Sequence, residues 1–329
     1  MILVTGGTGH LGANLVRRLL ADQLAVRVLL RPGSRSPALD GLPVERMEGD
    51  LRDPDAIAKA VSGCERIYHC AAQISTRAGR ERELFDCNVL GTANLLRAAR
   101  QTSVQRVVVT GSLSAVGHDP DRPSHEGMPF YPFGRVLPYS HTKALAEHEC
   151  LKAVIAGLEV VIAVSTAIIG PYDFGPSRLG GTLLDFARGR LRACIPGGFE
   201  FVNVSDLVEG HLLAMRQGRT GHRYIFSTQF LTVDELLGVC SRTLGNTPTR
   251  PLRIPGSLMA TVATMADPVV RHLRPGAPQR FTPAAVRFLR MRRKADITKA
   301  RQELGYRPTS IAEAVAEAYA CFRRRGLLR

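Results

Sequence analysis

The chain of 329 residues contains no tryptophan, only five lysines (59, 143, 152, 294 and 299) among 44 basic residues, and 6% aromatic side chains. Its seven cysteines (64, 70, 87, 150, 194, 240 and 321) are odd in number and lack a Cys-x-x-Cys pair, so neither a disulfide framework nor a zinc site is expected. The nine histidines form no His-Glu-x-x-His pattern, and His118 and His125 share a Pro-rich loop without a third ligand. No metal is expected. No apolar run approaches the ~18 residues of a membrane span, and a strand-like segment, Met1 to Thr5, opens the chain in place of a signal peptide. These absences lead us to expect a soluble, cytoplasmic protein. Hydrophobic residues at 45% and charged residues at 22%, without low-complexity tracts, exclude disorder, collagen and coiled coil.

Acidic residues are scarce towards the end. Residues 241 to 329 hold 18 basic and 5 acidic side chains, so +13 of the net +15 lies there and the first 240 residues are nearly neutral. Such a charge admits nucleic acid, a membrane surface or an anionic ligand. The basic stretch Arg287 to Lys294 lacks the interleaved aromatics of a single-strand platform, and no nucleic acid is expected. Apolar Leu258 to Val270, followed by Arg271 and Arg274, leaves contact with a membrane surface open. A core-facing helix is the plainer reading.

What is present is a rhythm. Six strands are predicted at Ile2 to Thr5, Ala25 to Leu30, Val44 to Glu48, Arg66 to Cys70, Arg106 to Thr110 and Glu159 to Val164. Helical periodicity runs between them through Leu11 to Leu20, Pro54 to Val61, Leu84 to Ala99 and Tyr139 to Ile155. That alternation predicts an α/β fold, a doubly wound parallel sheet over residues 1–170. After residue 170 a mainly helical, smaller lobe is expected over 171–329, with capping boxes at Thr232 to Glu235 and Ser310 to Glu313.

The first strand runs into Thr5-Gly6-Gly7-Thr8-Gly9-His10-Leu11-Gly12 and then a helix. Glycines suit a tight turn and close approach to a pyrophosphate, and the helix N-terminus offers free N–H groups. The second strand ends in Arg31 with Ser34 and Arg35 after it, where an NAD site usually carries an acid for the ribose hydroxyl. Arginine suits a 2′-phosphate, so NADP(H) is favoured over NAD(H). Glu48-Gly49-Asp50-Leu51 and His69-Cys70-Ala71-Ala72 follow the third and fourth strands, where an open sheet binds its ligand.

The chain's single Tyr-x-x-x-Lys pair, Tyr139 and Lys143, opens a helix after the fifth strand and places both side chains on one face. An ammonium and a helix N-terminus would both favour the phenolate, a rationale for proton transfer. Ser112 and Ser114, in Thr110-Gly111-Ser112-Leu113-Ser114-Ala115, offer a hydroxyl for a substrate oxygen.

Taken together, TGGTGHLG, GDL, HCAA, Asn88-Val89-Leu90-Gly91-Thr92, the serine segment, YSHTK, Ile168-Ile169-Gly170-Pro171, Phe201 to Asp206 and Leu304 to Pro308 resemble the extended short-chain dehydrogenase/reductases, the NAD(P)-dependent epimerase/dehydratase family. Within it, the Arg-ended second strand and the serine segment look like dihydroflavonol reductases, hydroxysteroid dehydrogenases and hopanoid-associated epimerase-like proteins. The resemblance implies a Rossmann domain to which 201–226 returns. It implies Tyr139 as proton donor and acceptor, Lys143 as ribose ligand lowering the tyrosine pKa, and Ser112 as carbonyl-positioning residue. It places the cofactor against Gly6, Thr8, Gly9, His10, Leu11, Gly12, Arg31, Ser34, Arg35, Asp50, Leu51, Cys70, Ala71, Ala72, Asn88, Thr110, Thr166 and Ile168, besides Tyr139 and Lys143. Two departures bear on the nicotinamide side and the substrate lobe: Ser165 replaces the usual Pro, and Asn203 the usual His. The Thr-Asp-Glu signature of nucleotide-sugar dehydratases is absent at Ser112 to Ser114.

The expected activity is hydride transfer between NADP(H) and a small-molecule carbonyl or secondary alcohol. A nucleotide-sugar epimerase with tightly bound NAD(P) and a non-catalytic NADP(H) sensor are the alternatives, and a homodimer is left open. Tyr172, Phe174, Phe130, Tyr131 and Phe133 are candidates to line an apolar pocket.

Overall fold

Alternating apolar and amphipathic stretches produce the layers that the rhythm predicts. The computed structural model describes residues 1–328 apart from 35, 76–78, 131–137, 249–250, 257, 260, 262–264 and 266–282, and apart from the side chain of 284. Among the described residues the strands are β1 (Ile2–Thr5), β2 (Val26–Leu30), β3 (Glu45–Glu48), β4 (Arg66–His69), β5 (Arg106–Ser112), β6 (Glu159–Ser165), β7 (Ala167–Ile169), β8 (Ala193–Cys194), β9 (Gly198–Asn203), β10 (Arg223–Phe226), β11 (Gln229–Thr232) and β12 (Leu252–Arg253). The main sheet runs β10-β6-β5-β4-β1-β2-β3, parallel throughout. The order reverses between β1 and β4, and a crevice for a ligand opens there at the strands' C-terminal ends.

The helices of this half are α1 (His10–Ala21), α2 (Pro54–Val61), α3 (Glu81–Phe85), α4 (Gly91–Arg100) and α5 (Pro138–Ile155). One departure from the periodicity matters for the site. The single helix predicted over Leu84 to Ala99 is interrupted by a π-helical turn, Asp86–Leu90, between α3 and α4. Such a turn changes which way the residues after it face.

Two cores cover the sheet. On one face Leu15 and Leu19 of α1 meet Val208 and Leu212 of α7 (Val204–Gln217), together with Ala300, Leu304 and Tyr306 from near the end of the chain. On the other, Ile57, Leu95 and Leu96 pack with Cys150 of α5. Leu15 and Leu19 are wholly buried, so truncating either to alanine would cost about 2–5 kcal/mol.

The later residues build a second body on a three-stranded sheet, β11-β9-β7. Helices α6 (Arg178–Ala187), α8 (Val233–Leu244) and Ile311–Arg324 close around Phe186, Phe201 and Tyr319. Thr232 and Ser310 each make the complete capping box. No described helix is long and apolar enough to cross a membrane. Most of Leu258 to Val270, with Arg271 and Arg274, lies outside the described residues, although Leu258 and Met265 are exposed.

Candidate active site

The glycine loop is built for close approach. Gly6 takes φ +71°, and a methyl there would stand 2.6 Å from the Ala71 nitrogen; a methyl on Gly12 would stand 2.1 Å from the Gly6 carbonyl oxygen. The loop is therefore pressed against the Cys70-Ala71-Ala72 segment and against the start of α1, where only glycine fits. Gly9 caps α1 without a side-chain bond, leaving N–H groups at the crevice for an anion. These features fit a dinucleotide pyrophosphate. His10 donates from Nε2 to the Pro171 carbonyl (3.1 Å), and its Nδ1 is buried without a partner. Burial lowers the His10 pKa, against the nearby Asp173 carboxylate, so the ring is held neutral.

At the ends of β2 and β3, Arg31 and Ser34 are exposed, while Arg35 lies outside the described residues. Asp50, a candidate cofactor ligand, is engaged by a neighbour. Arg52 grips it in two bonds of 2.8 and 2.6 Å, and these bonds, with the charges of Arg52 and Arg31, pull its carboxyl down to about 2. Arg52 is a second cation at this end that the family motif did not mark. Leu51 is buried beneath the Gly91 position of α4.

The proton-transfer candidates meet at the end of β5. The Ser112 hydroxyl stands beside Tyr139, where it draws the phenol pKa down, and lies 2.9 Å from the Ser114 hydroxyl. Lys143, on the same face of α5 as Tyr139, is 6% exposed and donates to the Thr110 carbonyl at 2.5 Å. Thr110 directs its hydroxyl away, to His211 Nε2 at 2.9 Å.

Lys143 was to lower the phenol pKa, yet burial pushes Tyr139 up to about 12 and Ser112 only partly offsets it. The ammonium's own hydrogen bond goes to the strand, and desolvation is the larger influence on the phenol. The phenol is thus held in its neutral form at neutral pH.

A hydrogen-bonded line unmarked by any motif joins the glycine loop to α5. Thr92 donates to the Asn88 carbonyl (2.7 Å), so it accepts from His69 Nε2 (2.9 Å), and His69 Nδ1 accepts from the Thr5 hydroxyl (2.7 Å). Burial takes His69 down to about 3, keeping it neutral. Asn88, placed on the π turn, accepts from the Gln73 N–H (2.7 Å) and donates to the Gln73 carbonyl and to Thr142, which donates to the Tyr139 carbonyl. Asn88 therefore orders the segment after β4, with both of its amide hydrogens engaged.

Thr166 Oγ1 is buried without a hydrogen-bond partner, and Ile168 packs into the core of the α1 face. Of the candidate pocket aromatics, Tyr172 and Phe174 lie under the Arg17 guanidinium at 4.4 and 5.0 Å, and Phe130 lies under Arg223 at 5.0 Å. Tyr131 and Phe133 lie outside the described residues. No cluster of three or more metal-ligating side chains occurs among the described residues.

Comparison with known proteins decides the family. The model of the NAD dependent epimerase/dehydratase family matches residues 2–226. The chain belongs to that family. It is 45% identical over 326 residues to sterol demethylase protein B of Methylococcus capsulatus, covering 99% of each chain. A Synechocystis protein named as a dihydroflavonol 4-reductase is 34% identical, with 99% of this chain and 95% of that one covered. Among solved structures, a dTDP-glucose 4,6-dehydratase variant from Streptomyces venezuelae with NAD bound superposes with a TM-score of 0.78 at 26% identity, covering 100% and 98% of the chains. The extended short-chain dehydrogenase/reductase resemblance, the Rossmann-type sheet and NAD(P) binding as a family property therefore hold.

Proposed function

We propose that the protein is an NADP(H)-dependent reductase of a ring ketone carried by a largely apolar, polycyclic molecule, with Tyr139 as proton donor. The observation that carries the reading is the Tyr139 phenol, beside Ser112 and one helical turn from the buried Lys143 ammonium. A phenol with its pKa near 12 stays protonated at neutral pH, and that is the form a reduction consumes.

The bound nicotinamide would supply hydride to the carbonyl carbon. Ser112 holds the carbonyl oxygen by donating to it. Tyr139 gives its proton to that oxygen as the carbon is reduced, and Lys143, by its charge, stabilises the phenolate until water returns the proton. Ala71 and the glycine loop hold the dinucleotide, while Arg31 and Arg52 supply two cations for a 2′-phosphate, which favours NADP(H) over NAD(H). The polycyclic class comes from the relatives' names, one concerning a sterol and the other a dihydroflavonol.

The test is turnover of NADPH with a polycyclic ketone. Tyr139→Phe should lower kcat by about 10²- to 10⁴-fold with little change in the KM for NADPH; undiminished turnover would refute the assignment. Purified protein that retains stoichiometric NAD and interconverts sugar epimers would favour the epimerase reading instead.

A further inference from the structure

Glu147 follows Lys143 by one turn and Tyr139 by two on α5, so phenol, ammonium and carboxylate lie along one helical face. Glu147 is 2% exposed, and its Oε2 meets Arg223 Nη1 at 3.4 Å. Its Oε1 is buried with no hydrogen-bond partner. A methyl on Gly111 would stand 3.1 Å from that oxygen, so the carboxylate is pressed against the strand end that carries Ser112. A buried carboxylate with an oxygen left over is expensive, and a fold that keeps one has a use for its charge.

The groups around Glu147 say where the charge acts. On its own helix Lys143, His148 and Cys150 act on it; β10 contributes Arg223, and Gly111 of β5 lies against its Oε1. From the side of Lys143, Glu147 is the foremost of the groups that oppose its desolvation.

We propose that Glu147 is a positioning residue for proton transfer: its carboxylate is the counter-charge that keeps the Lys143 ammonium protonated beside Tyr139. This rests on the reading of Tyr139 as proton donor. Burial, the largest influence, pulls Lys143 down and pushes Glu147 up to about 7, with Arg223 and then Lys143 drawing Glu147 back. Arg223 also walls a groove of about 550 Å³, so a proton leaving Glu147 is one side chain from water. Glu147 thereby links the charge state of Lys143 to the pH of the medium.

The test compares wild type, Glu147→Gln and Glu147→Asp in the pH profile of kcat for NADPH-dependent reduction. Glutamine should move the basic limb to lower pH by on the order of one unit, so that the variant is closer to wild type at pH 6 than at pH 8. Aspartate, which keeps the charge, should lower kcat and leave the limb in place. A Gln profile that superimposes on the wild type, or one reduced by the same factor at every pH, overturns the proposal.

Thermal unfolding of wild type and Glu147→Gln supplies a readout independent of turnover. A carboxyl raised from 4.5 in the unfolded chain to about 7 in the fold contributes stability below 4.5 that is lost as pH rises towards 7. Glutamine has no such loss, so the Tm of the variant minus that of wild type should rise from pH 5 to pH 8; a constant difference contradicts the buried charge. If wild type fails to oxidise NADPH with any ketone, the reductase reading fails while the unfolding comparison still reports on Glu147.

Discussion

Tyr139 shows how much of a residue's chemistry is decided by its surroundings. Its i, i+4 relation to Lys143 is plain in the sequence, and from it a depressed phenol pKa follows. In the fold desolvation outweighs the neighbouring groups and Lys143 donates to the Thr110 carbonyl, so the phenol pKa is raised. Burial depends on long-range packing that a local motif does not contain. Arg31 is the opposite case: it stands at a strand end, exposed as the sequence implies, and its charge reaches Asp50. Arg31→Ala should raise the KM for NADPH roughly ten-fold or more while leaving that for NADH within about two-fold. Equal effects on both cofactors would remove Arg31 from 2′-phosphate recognition and leave Arg52 as the candidate.

Among the elements, the strands and helices around the glycine loop were legible because each is specified by its own residues. Boundaries at β2, β4 and β5 moved by only one or two positions, and Pro54 and both capping boxes stand where they were expected. The π turn at Asp86–Leu90 was not legible, because apolar periodicity continues across it. Nor was the line from Thr5 to Tyr139, whose first bond spans 64 positions. That line ties β1 and β4 to α5, and its neutral histidine is the joint. A glutamine at 69 can still donate and accept, whereas leucine can do neither. His69→Leu should therefore lower kcat about ten-fold or more with the KM for NADPH little changed, and His69→Gln should recover most of it. The pH dependence of stability adds a check. A histidine held at about 3 contributes stability present above 6.5 that is lost as pH falls towards 3. The Tm deficit of His69→Gln should accordingly shrink between pH 7.5 and pH 5; an unchanged deficit would mean that His69 is not held neutral.

At the scale of the whole molecule, charge and chemistry are separated. The glycine loop, Arg31, Ser112, Tyr139 and Lys143 all belong to the nearly neutral first 240 residues, and the excess of arginine follows them. The separation is not a division into independent bodies, since Ala300, Leu304 and Tyr306 complete the core beside α1 and Arg293 donates to the Val116 and Gly117 carbonyls just beyond Ser112. The late chain thus buttresses the site. If a neutral Tyr139 completes the reduction of a carbonyl by donating a proton, one label follows that reduction directly. Wild-type protein given NADPH deuterated at the transferable position, with a polycyclic ketone, should yield an alcohol carrying one deuterium on the carbinol carbon for each NADP⁺ formed. An unlabelled product, or an epimerised one formed without net loss of NADPH, would contradict the account.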